Sequence, residues 1–315
     1  MAVTDTNLAA SQDTSRASQP ARTARYVHGV LLVVAASLLW SLSGIMLRNI
    51  ESATQLQLVF YRSAAMAVTL LVIIAANHRG RVIPVFRDAG GLGLLGGLCF
   101  AASSLCFVFS ITTTTVASTV FLTATTPLFT ALVAWVILGE RNRPAAWAAM
   151  AATLAGVGIM MWGGINSGQF LGNLLALGAA VTFAGLTTAL RRGKHLDMST
   201  AMCIGGVMAA LIGGALAKDL AISFHDFLLC LAMGSLQMAG ALFLFVLGSR
   251  HLSAVEVTLI SLIEVVLNPF WTWLGVGEVP SGQTLVGGAI VLAAIIGLTL
   301  SGARRNADVA AMPGE

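Results

Sequence analysis

The chain has 315 residues, 57% of them hydrophobic and only 10% charged, with a mean hydropathy of +0.89 and a net charge of +4. A water-soluble enzyme of this length carries about a quarter charged residues, so a soluble Rossmann or barrel enzyme and a nucleic-acid-binding domain are both excluded. What fits is a membrane protein whose few charges punctuate apolar runs of about 20 residues, the length that crosses a bilayer.

Residues 1–26 are polar, rich in Ala, Ser and Thr, and contain no apolar core, so they read as a disordered cytosolic tail rather than a secretory signal. From there the chain alternates apolar runs with short polar breaks. Ten spans are expected, at 27–47, 56–76, 90–111, 116–138, 145–165, 171–190, 199–217, 226–248, 254–276 and 283–301. Each is long enough, at about 1.5 Å per residue, to cross a hydrocarbon core of about 30 Å as a helix. None shows the in–out alternation of a membrane strand, so the expected class is all-α. Cys99, Cys106, Cys203 and Cys230 fall inside these runs, without metal-ligand spacing, and no metal or cofactor is expected.

Basic residues orient the chain. With the N-terminal tail inside, 14 of the 17 Lys and Arg residues lie in cytosolic segments, and only Arg48 and Lys218 lie outside. Arg62 is the remaining one, within the second span. This asymmetry places both termini in the cytosol and supports an even number of spans.

Shifting the chain by 138 residues aligns Ala101 with Ala239, Phe107-Val108 with Phe245-Val246, Trp135 with Trp273, Gly139-Glu140 with Gly277-Glu278, and Leu154 with Leu292. Five spans per half forces the halves to enter the membrane from opposite sides. The expected architecture is a 5+5 inverted repeat, with halves at 27–165 and 166–302 and a second cytosolic tail at 303–315. Such repeats characterise secondary transporters that bind substrate near the midplane.

Several segments carry a family resemblance: LLWSLSG at 38–44, FYRSAAMAV at 60–68, WVILGERNRPAAWAAMAATLAGVGIM at 135–160 and SLIEVVLNPFWTWLGVGEVPSGQTLVGGAIVLAAI at 261–295. Over roughly residues 27–302 the chain resembles the EamA-like family of the drug/metabolite transporter superfamily. It departs from the family pattern with Trp-Ser for Trp-Gly at 40–41, Glu-Val for Glu-Pro at 264–265, and Val276 before Gly277. The resemblance implies a multi-pass secondary carrier of a bacterial inner membrane, most simply an exporter of amino acids or related amphipathic metabolites. An importer or exchanger of a quaternary amine, a sugar derivative or a nucleotide-like metabolite is the alternative. An intramembrane lipid-acting enzyme is a remote one, because no clustered catalytic residues are present.

Glu264 is the most informative candidate, a carboxylate near mid-span where charge is costly and marks function. It is expected either to take a cationic amine or a proton, or to be a buried structural acid. Arg62, about 9 Å below the outer boundary, can pair with Glu264, meet Glu51, snorkel outward, or clamp a substrate carboxylate. Trp40 with Ser37, Ser41 and Ser43 forms an aromatic and hydroxylated stretch of the first span. Phe100, Ser103, Ser104 and Phe107 share one face of the third. Thr123, Thr126 and Pro127 mark a potential break in the fourth. Gln237 and Asn268 add neutral polar groups to the eighth and ninth. Trp40, Ser41, Ser43, Phe100, Ser103, Ser104, Phe107, Thr123, Thr126, Gln237 and Asn268 are expected to line a substrate cavity, though each could instead hold helices together. Gly93, Gly97 and Gly156 are expected to permit close helix approach. Gly139-Glu140 and Gly277-Glu278 are expected as helix C-caps followed by acids that suit the next helix. The expected partners are a small-molecule substrate and the lipid bilayer, not nucleic acid, with the chain a monomer or homodimer.

Overall fold

A computed structural model describes residues 26–139, 144–193 and 197–311. Ten of its helices are long and apolar enough to cross a membrane. They are α1 Tyr26–Arg48, α2 Gln55–Asn77, α3 Val82–Thr113, α4 Val116–Ile137, α5 Pro144–Ile165, α6 Phe170–Arg192, α7 Met198–Leu216 and α8 Phe224–Ser249. The last two are α9 Ala254–Val276 and α10 Gly282–Ala311. No strand occurs among the described residues. The N-terminal tail and the Arg141-Arg143 cluster lie outside the described residues, and α10 continues into the segment expected as the second tail.

Local sequence explains where these helices start, stop and bend. Thr54 and Ser253 each form a capping box, with Gln57 and Glu256 respectively, which satisfies otherwise unpaired amides at the starts of α2 and α9. Gly139 (φ 67°, ψ 15°) and Gly277 (φ 70°, ψ 16°) end α4 and α9 in the left-handed conformation, as expected from their positions. The third helix begins earlier than the apolar run indicates, because 82–89 is helical and joins the span through a bend at Gly90 (φ 55°, ψ −151°). Pro127 breaks α4 as anticipated, with one helix ending at Thr123 and the next starting at Thr126. The carbonyl that Pro127 leaves without a donor, that of Thr123, receives the Thr126 hydroxyl at 2.6 Å.

Three interactions fix how α1 and α9 run. Tyr26 bonds Glu256, Ser41 bonds Trp271 and Arg48 bonds Glu278, each pair separated by 230 residues in sequence. A constant difference along two helices means that they are parallel and in register, as the first and ninth members of an alternating series must be. Small residues set the closest approaches. A Cβ on Gly97 of α3 would stand 3.0 Å from the backbone N of Gly205 on α7. A Cβ on Gly156 of α5 would stand 2.7 Å from the Gly287 carbonyl on α10. Where lipid is as apolar as leucine, such close backbone packing replaces the hydrophobic effect as the source of cohesion.

The interior clusters follow the same helices. Val59, Val108, Leu122, Met160 and Met233 pack in one, and Met66, Phe100, Leu186, Cys203 and Leu242 in a second. Outward positions such as Val68, Leu154, Leu211 and Leu236 are at least 60% exposed and apolar, a surface that only lipid solvates well.

Candidate functional site

The middle of α1 is a polar hub. Ser41 donates its hydroxyl to the Leu38 carbonyl at 2.7 Å, so Leu42 N shifts to the Leu39 carbonyl at 3.2 Å and the helix tightens there. The same Ser41 oxygen accepts from Trp271 Nε1 of α9 at 3.0 Å. One turn earlier in α9, Asn268 donates to Ser43 Oγ at 2.8 Å and accepts from Gly44 N at 3.0 Å. From α8, Gln237 Nε2 donates to the Trp40 carbonyl at 3.3 Å, and the Trp40 ring lies 5.2 Å from that of Phe245. Gln237 stands within a π-helical stretch, Met233–Gly240, whose wider turn is a common mark of functional positions.

Trp40, Ser41, Ser43, Gln237 and Asn268 thus meet, with Trp271 as a member that the sequence alone did not single out. It lies seven residues after Glu264, two helical turns along the same flank. Asn268 and Trp271 reach α1, and helical spacing puts Glu264 one turn before Asn268. The Glu264 carboxylate has no hydrogen-bond or ion-pair partner among the described residues, and the residue is partly exposed.

The α3 residues divide. Ser104 accepts from Arg62 Nη2 at 2.7 Å, and the Arg62 guanidinium carbon stands 5.8 Å from the Phe107 ring centroid. Phe100 is buried, 6.4 Å from the Phe183 ring of α6, and Ser103 donates to the Ala179 carbonyl at 2.9 Å. Arg62 is 2% exposed, so it does not snorkel, and its described contacts include neither Glu264 nor Glu51. The hydroxyls of Thr123 and Thr126 both bond carbonyls of α4 itself, consistent with their place at its break.

Two further clusters tie the ends of helices at the Arg48 end of the bundle. Glu278 does not serve the start of α10, where Ser281 takes the amide of Thr284 at 3.1 Å. It reaches instead across the bundle, accepting from Arg48 Nε at 2.7 Å and from Val116 N, at the start of α4, at 2.6 Å. Arg48 Nη2 donates to the Thr114 carbonyl at 2.7 Å. Asp226, fully buried in the first turn of α8, accepts from the amides of Glu51, Ser52 and Ala53 and from the Ser52 hydroxyl, at 2.7–3.0 Å.

Ten spans around a central polar hub are the frame of a carrier, and the EamA-like transporter family profile matches this chain twice, over residues 27–162 and 170–300. The chain belongs to the EamA-like transporter family. It is a multi-pass membrane protein and a small-molecule transporter. The pseudopaline exporter CntI of Pseudomonas aeruginosa is 27% identical over 277 residues, covering 86% of this chain and 95% of the relative. A riboflavin transporter of Rhizobium johnstonii is 29% identical over 190 residues, covering 59% and 62% respectively. A solved structure aligns with a TM-score of 0.63 at 18% identity, covering 87% of this chain and 97% of the other, a likeness of fold alone.

Proposed function

We propose that this EamA-like transporter exports amino acids or related amphipathic metabolites from the cytosol across the bacterial inner membrane, with both termini cytosolic. The Arg48 end of the bundle then faces outward, and the two family matches correspond to inverted halves that rock about a midplane site. What carries the reading is the α1–α8–α9 hub, where an indole, hydroxyls and carboxamides converge, with the unpaired carboxylate of Glu264 four residues before Asn268 on α9. A carboxylate at this depth without a partner supplies the charge that receives a substrate amine, while Trp40 offers an aromatic wall. The export direction draws support from the pseudopaline exporter, aligned over nearly its whole length.

The test is a thermal-shift screen of purified protein against amino acids, amines, sugars, nucleosides and riboflavin, since a ligand of the native state raises its apparent stability. An amino-acid shift, lost in Glu264→Gln and halved or worse in Trp40→Ala, is the expected result. Shifts confined to riboflavin or sugars would discard the substrate class. An amino-acid shift untouched by either substitution would remove these two residues from the site.

A further inference from the structure

Arg62 combines deep burial with an almost unused donor set. It lies seven residues, about 10 Å, from the start of α2 and is 2% exposed. A guanidinium offers five N–H donors and stays charged at every physiological pH. Here its one described hydrogen bond is the 2.7 Å bond from Nη2 to Ser104, and Nε is buried with no partner. The described ion pairs join Arg48 to Glu278 and His225 to Asp226, so no carboxylate of the described chain compensates it. The Phe107 ring, 5.8 Å from the guanidinium carbon, supplies only the weak attraction of an aromatic face.

The surroundings leave this charge little alternative. Gly234 of α8 lies so close to α2 that a Cβ there would stand 2.8 Å from Met66 N, which keeps the helices flush beside Arg62. Ser104 accepts the Arg62 bond and donates to none of the described residues, so its proton is free for a second acceptor. Three residues beyond Gly234, Gln237 Oε1 is also buried without a partner. The unmet groups are therefore of opposite kinds: donors on Arg62 and Ser104, and an acceptor on Gln237.

Uncompensated buried charge is costly, and within membrane bundles charged groups characteristically line the route of a substrate or ion. We propose that Arg62, with Ser104 beside it, is the carboxylate-binding subsite of the transport pathway, so that the transported molecule carries a free carboxylate. This deepens the export reading above and rests on it for the class of molecule tested. The guanidinium fork receives the carboxylate in two parallel hydrogen bonds, and the Gln237 acceptor suits an N–H of the same molecule. In the conformation described here Arg62 is sealed, so the carboxylate reaches it when the helices around it part.

The test is counterflow in proteoliposomes of the full-length protein with a fixed panel: free L-amino acids, their methyl esters and riboflavin. The wild type is expected to exchange at least one free acid about tenfold or more faster than its ester. Arg62→Gln erases that preference, and Arg62→Lys, which keeps the charge but not the fork, restores part of it. Equal rates for acid and ester in the wild type, or an undiminished preference in Arg62→Gln, would overturn the proposal.

A second readout needs no substrate. Arg62→Met removes an uncompensated buried charge, so its melting temperature in detergent is expected at or above that of the wild type. A clear fall would make Arg62 a structural tie and overturn the proposal. If nothing in the panel exchanges while Arg62→Met holds its stability, the amino-acid reading fails and the anion subsite stands. If nothing exchanges and Arg62→Met melts early, both fall.

Discussion

Asp226→Ala lowers the melting temperature of the solubilised protein by about 6–10 °C. The carboxylate is fully buried and accepts four hydrogen bonds from residues 51–53, the connection between α1 and α2. Bonds to a charged acceptor contribute about 1.5–3 kcal/mol each, and donors left unmet in a closed site cost about as much. Non-additivity within one cluster brings the expected total to about 3–5 kcal/mol, and a chain of this size loses roughly 2 °C per kcal/mol. Asp226 also stands in the first turn of α8, where the helix dipole favours a negative charge, so the site is built for the ionised form. Asp226→Asn keeps one oxygen but turns an amide NH2 toward backbone donors, and should be nearly as damaging. Ser52→Ala removes one bond of the four, and its share of the non-additive total, about 1 kcal/mol, should cost about 2 °C. A melting temperature for Asp226→Ala within about 1 °C of wild type would mean that the loop is held by other contacts.

Asp226 shows what a linear reading can and cannot reach. It was legible as the boundary of an apolar run, and the run did become a helix. The amides that surround it come from residues 51–53, more than 170 positions away, and no local pattern announces them. The same division holds elsewhere. The ten helices were legible because a bilayer imposes a length and a polarity on every span, and these act residue by residue. Gly139 and Gly277 were legible as caps because the left-handed conformation is a local demand. The helical piece at 82–89 is not legible as part of a span, because Arg87 and Asp88 interrupt its apolar pattern, although they do not interrupt a helix.

At the hub, Trp40, Ser41, Ser43, Gln237 and Asn268 are legible in the sequence as polar or aromatic groups within apolar spans, and the structure brings them into contact. Their partnerships depend on which helices are neighbours and how they are rotated, and that is decided by packing. The parallel register of α1 and α9 is an example: it joins Ser41 to Trp271 and Arg48 to Glu278 through one geometric relation that appears only in three dimensions. Arg62 is the opposite case. Its sequence position allowed a pair with Glu264, but the side chain goes to Ser104 and Phe107 on the neighbouring helix instead.

Glu278→Gln opens the Arg48 end of the bundle. One carboxylate there joins three elements: it accepts from Arg48 at the end of α1 and from Val116 N at the start of α4, while itself following α9. Arg48 extends the tie to the Thr114 carbonyl. At the opposite end, the described polar link between α1 and α9 is the exposed bond from Tyr26 to Glu256. On the proposed rocking mechanism, the Glu278 cluster biases the protein toward closure at the Arg48 end. Neutralising Glu278 weakens two charge-assisted bonds, only 18% exposed on its side, and shifts an open–closed equilibrium by about tenfold or more. A cysteine placed at Val116, in a background freed of the native cysteines, should react about tenfold faster with a membrane-impermeant thiol reagent when Glu278 is Gln. Exchanging the pair, Arg48→Glu with Glu278→Arg, separates charge from geometry. The swap restores the ion pair, but an arginine cannot accept from Val116 N, so closure should recover only in part. Full recovery would reduce the cluster to a simple ion pair. Unchanged reactivity in Glu278→Gln would show that packing alone holds this end shut.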